Sequence, residues 1–243
     1  MNEDSEQSRT ELGRHLWRYM SFTKFLWLIQ NRKLWFSRAD KLNDPWELAL
    51  AGDQLEHVIL RRPIRPLDGL VPEEPIMDRA RRINKQWRET TYISCWSSSD
   101  HESYALWRIF CGSNDGVAIR CPTYNLTRSF TGISWYAVTY DTPGTEIRTP
   151  SATGLATRKR LMFQYEHEVR AIITDTTGLP VTQHEFGCTS DFDTEKLISS
   201  IAVHPEADGT LMEAVIRAVS DYAPSLSDKV AWSTMREPPP LLS

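Results

Sequence analysis

The chain has 243 residues, of which 40% are hydrophobic and 25% are charged, and its net charge is −4. These values are ordinary for a globular protein, and the length suffices for one domain with a sizeable core. The acidic balance disfavours a protein that mainly coats nucleic acid, because such proteins are usually basic. The sequence shows neither a signal peptide nor an apolar run near the roughly 20 residues of a membrane span. We therefore expect a cytoplasmic protein with no membrane partner.

The first third of the chain predicts a strand, a helix and a second strand. Residues 1–13 are polar and charged, which is typical of a disordered terminus. LWRYMS (16–21) predicts a short strand, and the apolar spacing that follows predicts a helix whose N-cap is Ser21. LWFS (34–37) predicts the second strand, and residues 61–76, which are rich in proline, predict a loop.

The middle of the chain alternates helical and extended patterns. MDRARRINKQWRE (77–89) predicts a basic helix, and the β-branched and aromatic run TTYISCWS (90–97) predicts a strand. HESYALWRIFC (101–111) predicts another helix. GVAIRC (116–121) and ISWYAVTY (133–140) predict two further strands. Helices and strands therefore mix without a regular βαβ rhythm.

The last third contains the most unusual pattern. FQYEHEVR (163–170) opens a predicted strand that runs to Ile173. IAVHP (201–205) predicts a last strand, TLMEAVIRAVSDY (210–222) a helix, and residues 236–243 a flexible tail. The fold class that these elements predict is α+β, with a mixed or antiparallel central sheet flanked by helices.

The predicted strand through FQYEHEVR concentrates charge on one face. Alternate side chains of a strand share a face, so Glu166, Glu168 and Arg170 should point the same way. Two interpretations remain open. The three residues can form an ion-pair network on an exposed face, although such pairs stabilise a protein by only about 0–1 kcal/mol. Alternatively, the two carboxylates line a site where positive charge develops during a reaction.

Three motifs, taken in order, resemble a known bacterial family. They are LWRYMSFTKFLWLIQNRKLWFSRADKLNDPWE, ISCWSSSDHESYALWRIFCGSNDGVAIRC and KRLMFQYEHEVR. Together they are similar to the motifs of the DUF2971 family, which combine an "N-D-P" turn, a strand with "S-C-F-S" and a late "Y-E-x-E". The resemblance spans nearly the whole chain and implies a single domain over residues 14–235. It implies a shared fold and no particular activity.

The order of the motifs also resembles the layout of ADP-ribosyltransferases, with an early arginine, a central serine-bearing strand and a late E-x-E. That resemblance implies NAD as a substrate. Glu168 would stabilise an oxocarbenium-like transition state, and Glu166 would orient the acceptor, a protein or a nucleic acid. Six further residues would bind the cofactor: Arg18 on a phosphate or ribose, Ser94 or Ser97 in the pocket wall, Tyr19 or Tyr104 stacked on nicotinamide, and Arg170 beside the carboxylates.

Two other functions remain open from the sequence. The first is a module that binds a nucleotide or a partner protein without catalysis. The second is an effector that degrades nucleic acid with a divalent ion held by Asp44, Glu166 and Glu168. The leading hypothesis requires no metal, and a toxin or defence role fits either chemistry. The structural interpretation of Asp44, without a functional role, is an Asx turn within Asn-Asp-Pro.

Overall fold

The structure is a computed structural model that describes residues 12–49, 76–112, 114–142 and 151–237. The predicted disorder of residues 1–13 and the proline-rich loop at 61–76 lie almost entirely outside these ranges, as does most of the predicted tail. Within the ranges above, every helix is too short or too polar to span a lipid bilayer.

The described residues form an α+β fold around a large, mostly antiparallel sheet, as the sequence predicts. The strands are β1 (His15–Ser21), β2 (Lys33–Arg38), β3 (Tyr92–Ser98), β4 (Gly116–Pro122), β5 (Ser134–Ala137), β6 (Thr139–Asp141), β7 (Arg158–Arg160), β8 (Glu168–Ile173), β9 (Val181–His184), β10 (Gly187–Asp191), β11 (Ser200–Val203) and β12 (Val230–Trp232). The α-helices are α1 (Phe22–Asn31), α2 (Ile76–Thr90), α3 (Tyr104–Phe110), α4 (Thr123–Ser129), α5 (Ala152–Ala156), α6 (Thr194–Leu197) and α7 (Gly209–Tyr222).

The main sheet runs in the order β12-β11-β4-β1-β3-β2-β10-β9, and β8 joins it through β3 and carries β5 on its other edge. β6 and β7 pair separately as a short parallel ribbon. The pairing of β11 with β12 is also parallel, whereas the other pairs of the main sheet are antiparallel.

The sheet forks along β3, and this fork positions the site. One edge of β3 pairs with β8 from Tyr92 to Ser97. On the other edge, β2 pairs with Tyr92 and Ile93, whereas β1 pairs with Ser97 and Ser98. Neither β1 nor β2 pairs with the stretch from Ser94 to Trp96, so the sheet opens there. Backbone and side-chain polar groups at such an opening need other partners.

Local sequence accounts for the helix that follows β1. Ser21 caps α1 by accepting a hydrogen bond from the backbone N–H of Lys24, as predicted. Phe25, Leu28 and Ile29 lie on one face and are buried in the core. The helix ends at Arg32, whose φ of 51° lies in the left-handed region.

The structure corrects the predicted strand at residues 163–173. Leu161–Glu166 forms a 3₁₀ helix, and His167 has a φ of 42°, which interrupts any strand at that point. Regular pairing therefore begins at Glu168. Sequence alternation could not reveal the break, because a 3₁₀ turn that ends in one left-handed residue leaves the order of side-chain types unchanged.

Several elements were not predicted. α4, β9, β10 and β12 all lie in segments without clear apolar periodicity. The predicted strand at residues 133–140 is divided between β5 and β6. The predicted helix at 77–89 is confirmed as α2, and the one at 210–222 as α7.

Candidate ligand-binding cavity

A cavity of about 500 Å³ opens beside the fork in the sheet. Its walls come from β1, the turn after β2, β3, α3, β7, the 3₁₀ helix at 161–166 and the start of β8. Its ionisable lining side chains include Arg18, Asp44, Glu47, Lys159, Arg160, Glu166 and Glu168. Its aromatic lining side chains are Trp17, Tyr19, Trp96, Phe110, Phe163 and Tyr165. Apolar walls with a few converging polar groups are typical of small-molecule sites.

The two glutamates of the E-x-E motif meet at one lysine. Lys159 Nζ donates to Glu166 Oε2 at 2.6 Å and to Glu168 Oε2 at 3.1 Å. Glu166 and Glu168 are only 8% and 4% exposed. The interpretation as an exposed ion-pair network is therefore wrong, although the two carboxylates do lie together as predicted.

Arg170 fixes Glu168 from the interior of the protein. This arginine is fully buried and donates to Glu168 Oε1 at 2.9 Å and to Glu168 Oε2 at 3.1 Å. It also binds Glu47 through two hydrogen bonds of 2.6 and 2.8 Å, and it donates to the carbonyl of Ala156 at 2.8 Å. These five bonds use the whole donor capacity of a guanidinium. Arg170 therefore has no donor left for a ligand.

The environments of the two glutamates move their pKa values in opposite directions. Burial alone would raise the pKa of Glu168, but the charges of Arg170 and Lys159 outweigh it and lower that pKa to about 2. Burial raises the pKa of Glu166 because Lys159 offsets it only in part. Glu168 is thus a permanent anion near neutral pH, whereas Glu166 exchanges a proton more readily. Divergent pKa values within one site are typical of acid–base pairs.

Arg18 crosses the opening in the sheet. Its Nη1 donates to Ser94 Oγ at 2.6 Å, and its Nη2 makes a long contact of 3.5 Å with the carbonyl of Trp35. Its guanidinium carbon lies 5.5 Å from the ring centre of Trp96. No carboxylate among the described residues pairs with it, and burial lowers its pKa to about 10. A cation held this way, at the wall of a cavity, is suited to an anionic ligand.

The predicted serines and Tyr19 support the wall with bonds inside the protein. Ser94 Oγ accepts from Arg18 and from Trp96 Nε1. Ser94 is buried and does not itself line the cavity, so it supports the wall only by holding Arg18. Ser97 lines the cavity, and its hydroxyl donates to the carbonyl of Glu166 at 2.8 Å. The hydroxyl of Tyr19 accepts from the backbone N–H of Ser103 at 2.8 Å, and Tyr19 is one of the residues that line the cavity.

Two of the predicted cofactor-binding residues lie elsewhere. Tyr104 is 53% exposed, is hydrogen-bonded to Glu206 and does not line the cavity, so it cannot stack on a ligand there. Arg170 is fully buried behind Glu168 and does not line the cavity either. Both assignments failed because sequence order does not show which face of α3 or which layer of the sheet a residue occupies.

Asp44 forms the predicted Asx turn and also lines the cavity. Its Oδ1 accepts from the backbone N–H of Trp46 at 2.9 Å, which confirms the Asx turn. The same carboxylate lines the cavity and accepts from Arg160 Nη2 at 3.2 Å. The described part of the chain contains no group of three or more histidine, cysteine, aspartate and glutamate side chains placed to hold a metal ion.

The sequence did not point to Glu47. This residue is 4% exposed and follows the Asx turn, so that its carboxylate reaches Arg170 across 123 residues of sequence. Such a contact is visible only in three dimensions. A search with family models, a search of curated proteins and a search of solved structures each find no match to the chain.

Proposed function

We propose that the cavity binds NAD and that the protein transfers its ADP-ribosyl group in the manner of an ADP-ribosyltransferase. The observation that supports this function best is that Arg18, Glu166 and Glu168 line one cavity beside the fork. The cavity wall thus contains a cation that has no carboxylate partner among the described residues and, elsewhere, a carboxylate pair. A nucleotide with phosphate and ribose groups has matching chemistry.

The charges of the acid cluster favour a developing cation. Three buried carboxylates, those of Glu47, Glu166 and Glu168, share the two cations Lys159 and Arg170. When all five are ionised, this cluster carries one excess negative charge, while Arg18 and Arg160 lie elsewhere in the cavity wall. A fixed negative charge beside the reacting carbon stabilises an oxocarbenium-like transition state.

The proposed reaction breaks the bond between C1′ of the ribose and the nicotinamide nitrogen. The bonding electron pair leaves with nicotinamide, and C1′ becomes oxocarbenium-like beside the Glu168 carboxylate. An acceptor hydroxyl, amine or water then forms a bond to C1′, and its proton passes to Glu166. Burial raises the pKa of Glu166, which suits that role because a more basic carboxylate accepts a proton more readily.

The test is release of nicotinamide from NAD by the purified protein. Wild type should release it, and Glu166→Gln and Glu168→Gln should each lower the rate by about a hundredfold or more, the usual scale for such groups. Tyr104→Phe is the matched control, because Tyr104 lies outside the cavity, and it should leave the rate unchanged. Unchanged release by folded Glu168→Gln would remove that residue from the mechanism.

A non-catalytic nucleotide-binding module is the second candidate, and a separate observation favours it. Lys159 and Arg170 together occupy both oxygens of Glu168, which leaves that carboxylate less free to act on a substrate. This candidate predicts that NAD binds and is recovered intact. Metal-dependent cleavage of nucleic acid has weaker support, because Asp44, Glu166 and Glu168 are each already paired with a cation.

A further inference from the structure

A second guanidinium, that of Arg160, also lines the cavity. Its central carbon lies 5.6 Å from the ring centre of Trp46 and 5.3 Å from that of Phe163. Two aromatic rings therefore flank the guanidinium and restrict where it can lie, which reduces the entropy lost when it binds a ligand. Its side chain is 32% exposed, so it remains reachable from the cavity.

The cations around the cavity differ in how far their charge is already used. Lys159 is shared between two carboxylates, and Arg170 is saturated. Arg160 has one carboxylate partner among the described residues, Asp44, through a single hydrogen bond of 3.2 Å. Arg18 has none in the same part of the chain. Arg18 and Arg160 are therefore the two groups that retain capacity for anions.

We propose that Arg160 binds a second phosphate group, so that the cavity selects ligands with a diphosphate over ligands with a single phosphate. Guanidinium groups bind phosphate through paired N–H donors, and two of them in one cavity suit two linked anionic groups. Arg18 takes the phosphate nearer the fork, and Arg160 takes the other. The identity of the nucleotide rests on the proposed function, whereas the selection for a diphosphate can be tested without it.

A purely structural role for Arg160 makes a different prediction. In that case, the hydrogen bond between Arg160 and Asp44 only connects the Asx turn to β7. Substituting either partner should then have the same effect on ligand binding. Asp44 Oδ1 accepts from both the backbone N–H of Trp46 and Arg160 Nη2, and Asp44→Asn keeps that oxygen while removing its negative charge. Under the ligand-binding role, Arg160 then loses its competing anion and is more available to phosphate. Arg160→Met and Asp44→Asn should then change phosphate binding in opposite directions.

The experiment is calorimetric titration with inorganic pyrophosphate, NAD and nicotinamide mononucleotide. Arg160→Met should weaken pyrophosphate and NAD at least about tenfold, the size expected when a charge-assisted hydrogen bond is lost, and should change mononucleotide binding by less than about twofold. Asp44→Asn should bind pyrophosphate as tightly as wild type or more tightly. Arg128→Met is the matched control, because Arg128 is stacked on Tyr124 and does not line the cavity.

The possible outcomes separate this inference from the proposed function. If NAD binds wild type and Arg160→Met equally, the diphosphate assignment is overturned and the NAD proposal stands. If pyrophosphate binding depends on Arg160 but NAD does not bind, the assignment stands and the NAD proposal fails. If Arg160→Met and Asp44→Asn weaken binding alike, or wild type binds none of the three, Arg160 has no such role.

Discussion

β1 and β8 pair with opposite edges of β3, and each carries one arginine. The surroundings of these two arginines are opposite in character. On the β8 side, Arg170 is fully buried and its five hydrogen bonds include four to carboxylate oxygens. On the β1 side, Arg18 spans a gap in the sheet and no described carboxylate pairs with it. The comparison supports a structural role for Arg170 and agrees with the proposed ligand-binding role of Arg18. Substitutions at the two positions should therefore separate stability from binding.

The largest effect is expected from Arg170→Met. Glu47 and Glu168 would be left buried without their shared cation, and breaking such a network typically costs about 3–5 kcal/mol of unfolding free energy. Urea unfolding followed by circular dichroism measures the loss. Arg217→Met is the control, because its pair with Asp221 is exposed, and it should leave the midpoint nearly unchanged. Equal stability of the two variants would contradict a structural role for Arg170.

A second prediction concerns the pH dependence of the acid cluster. The pKa of Glu168 is about 2 in the folded protein and should be near 4.5 in the unfolded chain. Its ion pairs therefore stabilise the fold at pH values above the pKa of the unfolded state. That contribution is lost as the pH falls through about 2, and it corresponds to about 3 kcal/mol. The difference in unfolding free energy between wild type and Glu168→Gln should therefore shrink from about pH 6 to about pH 2. A difference that is independent of pH would show that Glu168 is not held by these cations.

The smallest effect on stability is expected from Arg18→Met. Ser94 would keep its hydrogen bond from Trp96, and the fork would lose a charge that burial disfavours. The unfolding free energy should change by less than about 1 kcal/mol. Thermal unfolding provides the measurement, and a loss as large as that of Arg170→Met would make Arg18 a structural residue.

Much of the fold could be predicted because its signals are local. Ser21 begins α1 through a cap, and the β-branched run of β3 is evident from composition. β10 could not be predicted, because its buried residues include Thr189 and Ser190, whose polarity conceals a strand. In that strand, position in the sheet outweighs side-chain type.

The site could be predicted only in part, for a similar reason. The sequence placed Glu166 and Glu168 together because they are neighbours along the chain. It did not place Glu47 beside Arg170, since that contact joins residues 123 positions apart. The sequence also suggested one shared strand face, whereas a 3₁₀ helix and a left-handed His167 bring Glu166 to Lys159.

Binding of NAD to wild type and to Arg18→Met, compared by calorimetry, tests the central claim most directly. Arg18 contacts Ser94 and lies at the wall of the cavity that the two glutamates share, so its loss should remove an anion-binding group and little else. We predict that wild type binds NAD and that the folded variant binds it at least about tenfold more weakly. Equal affinity of the two proteins, or no binding to either, would contradict the account.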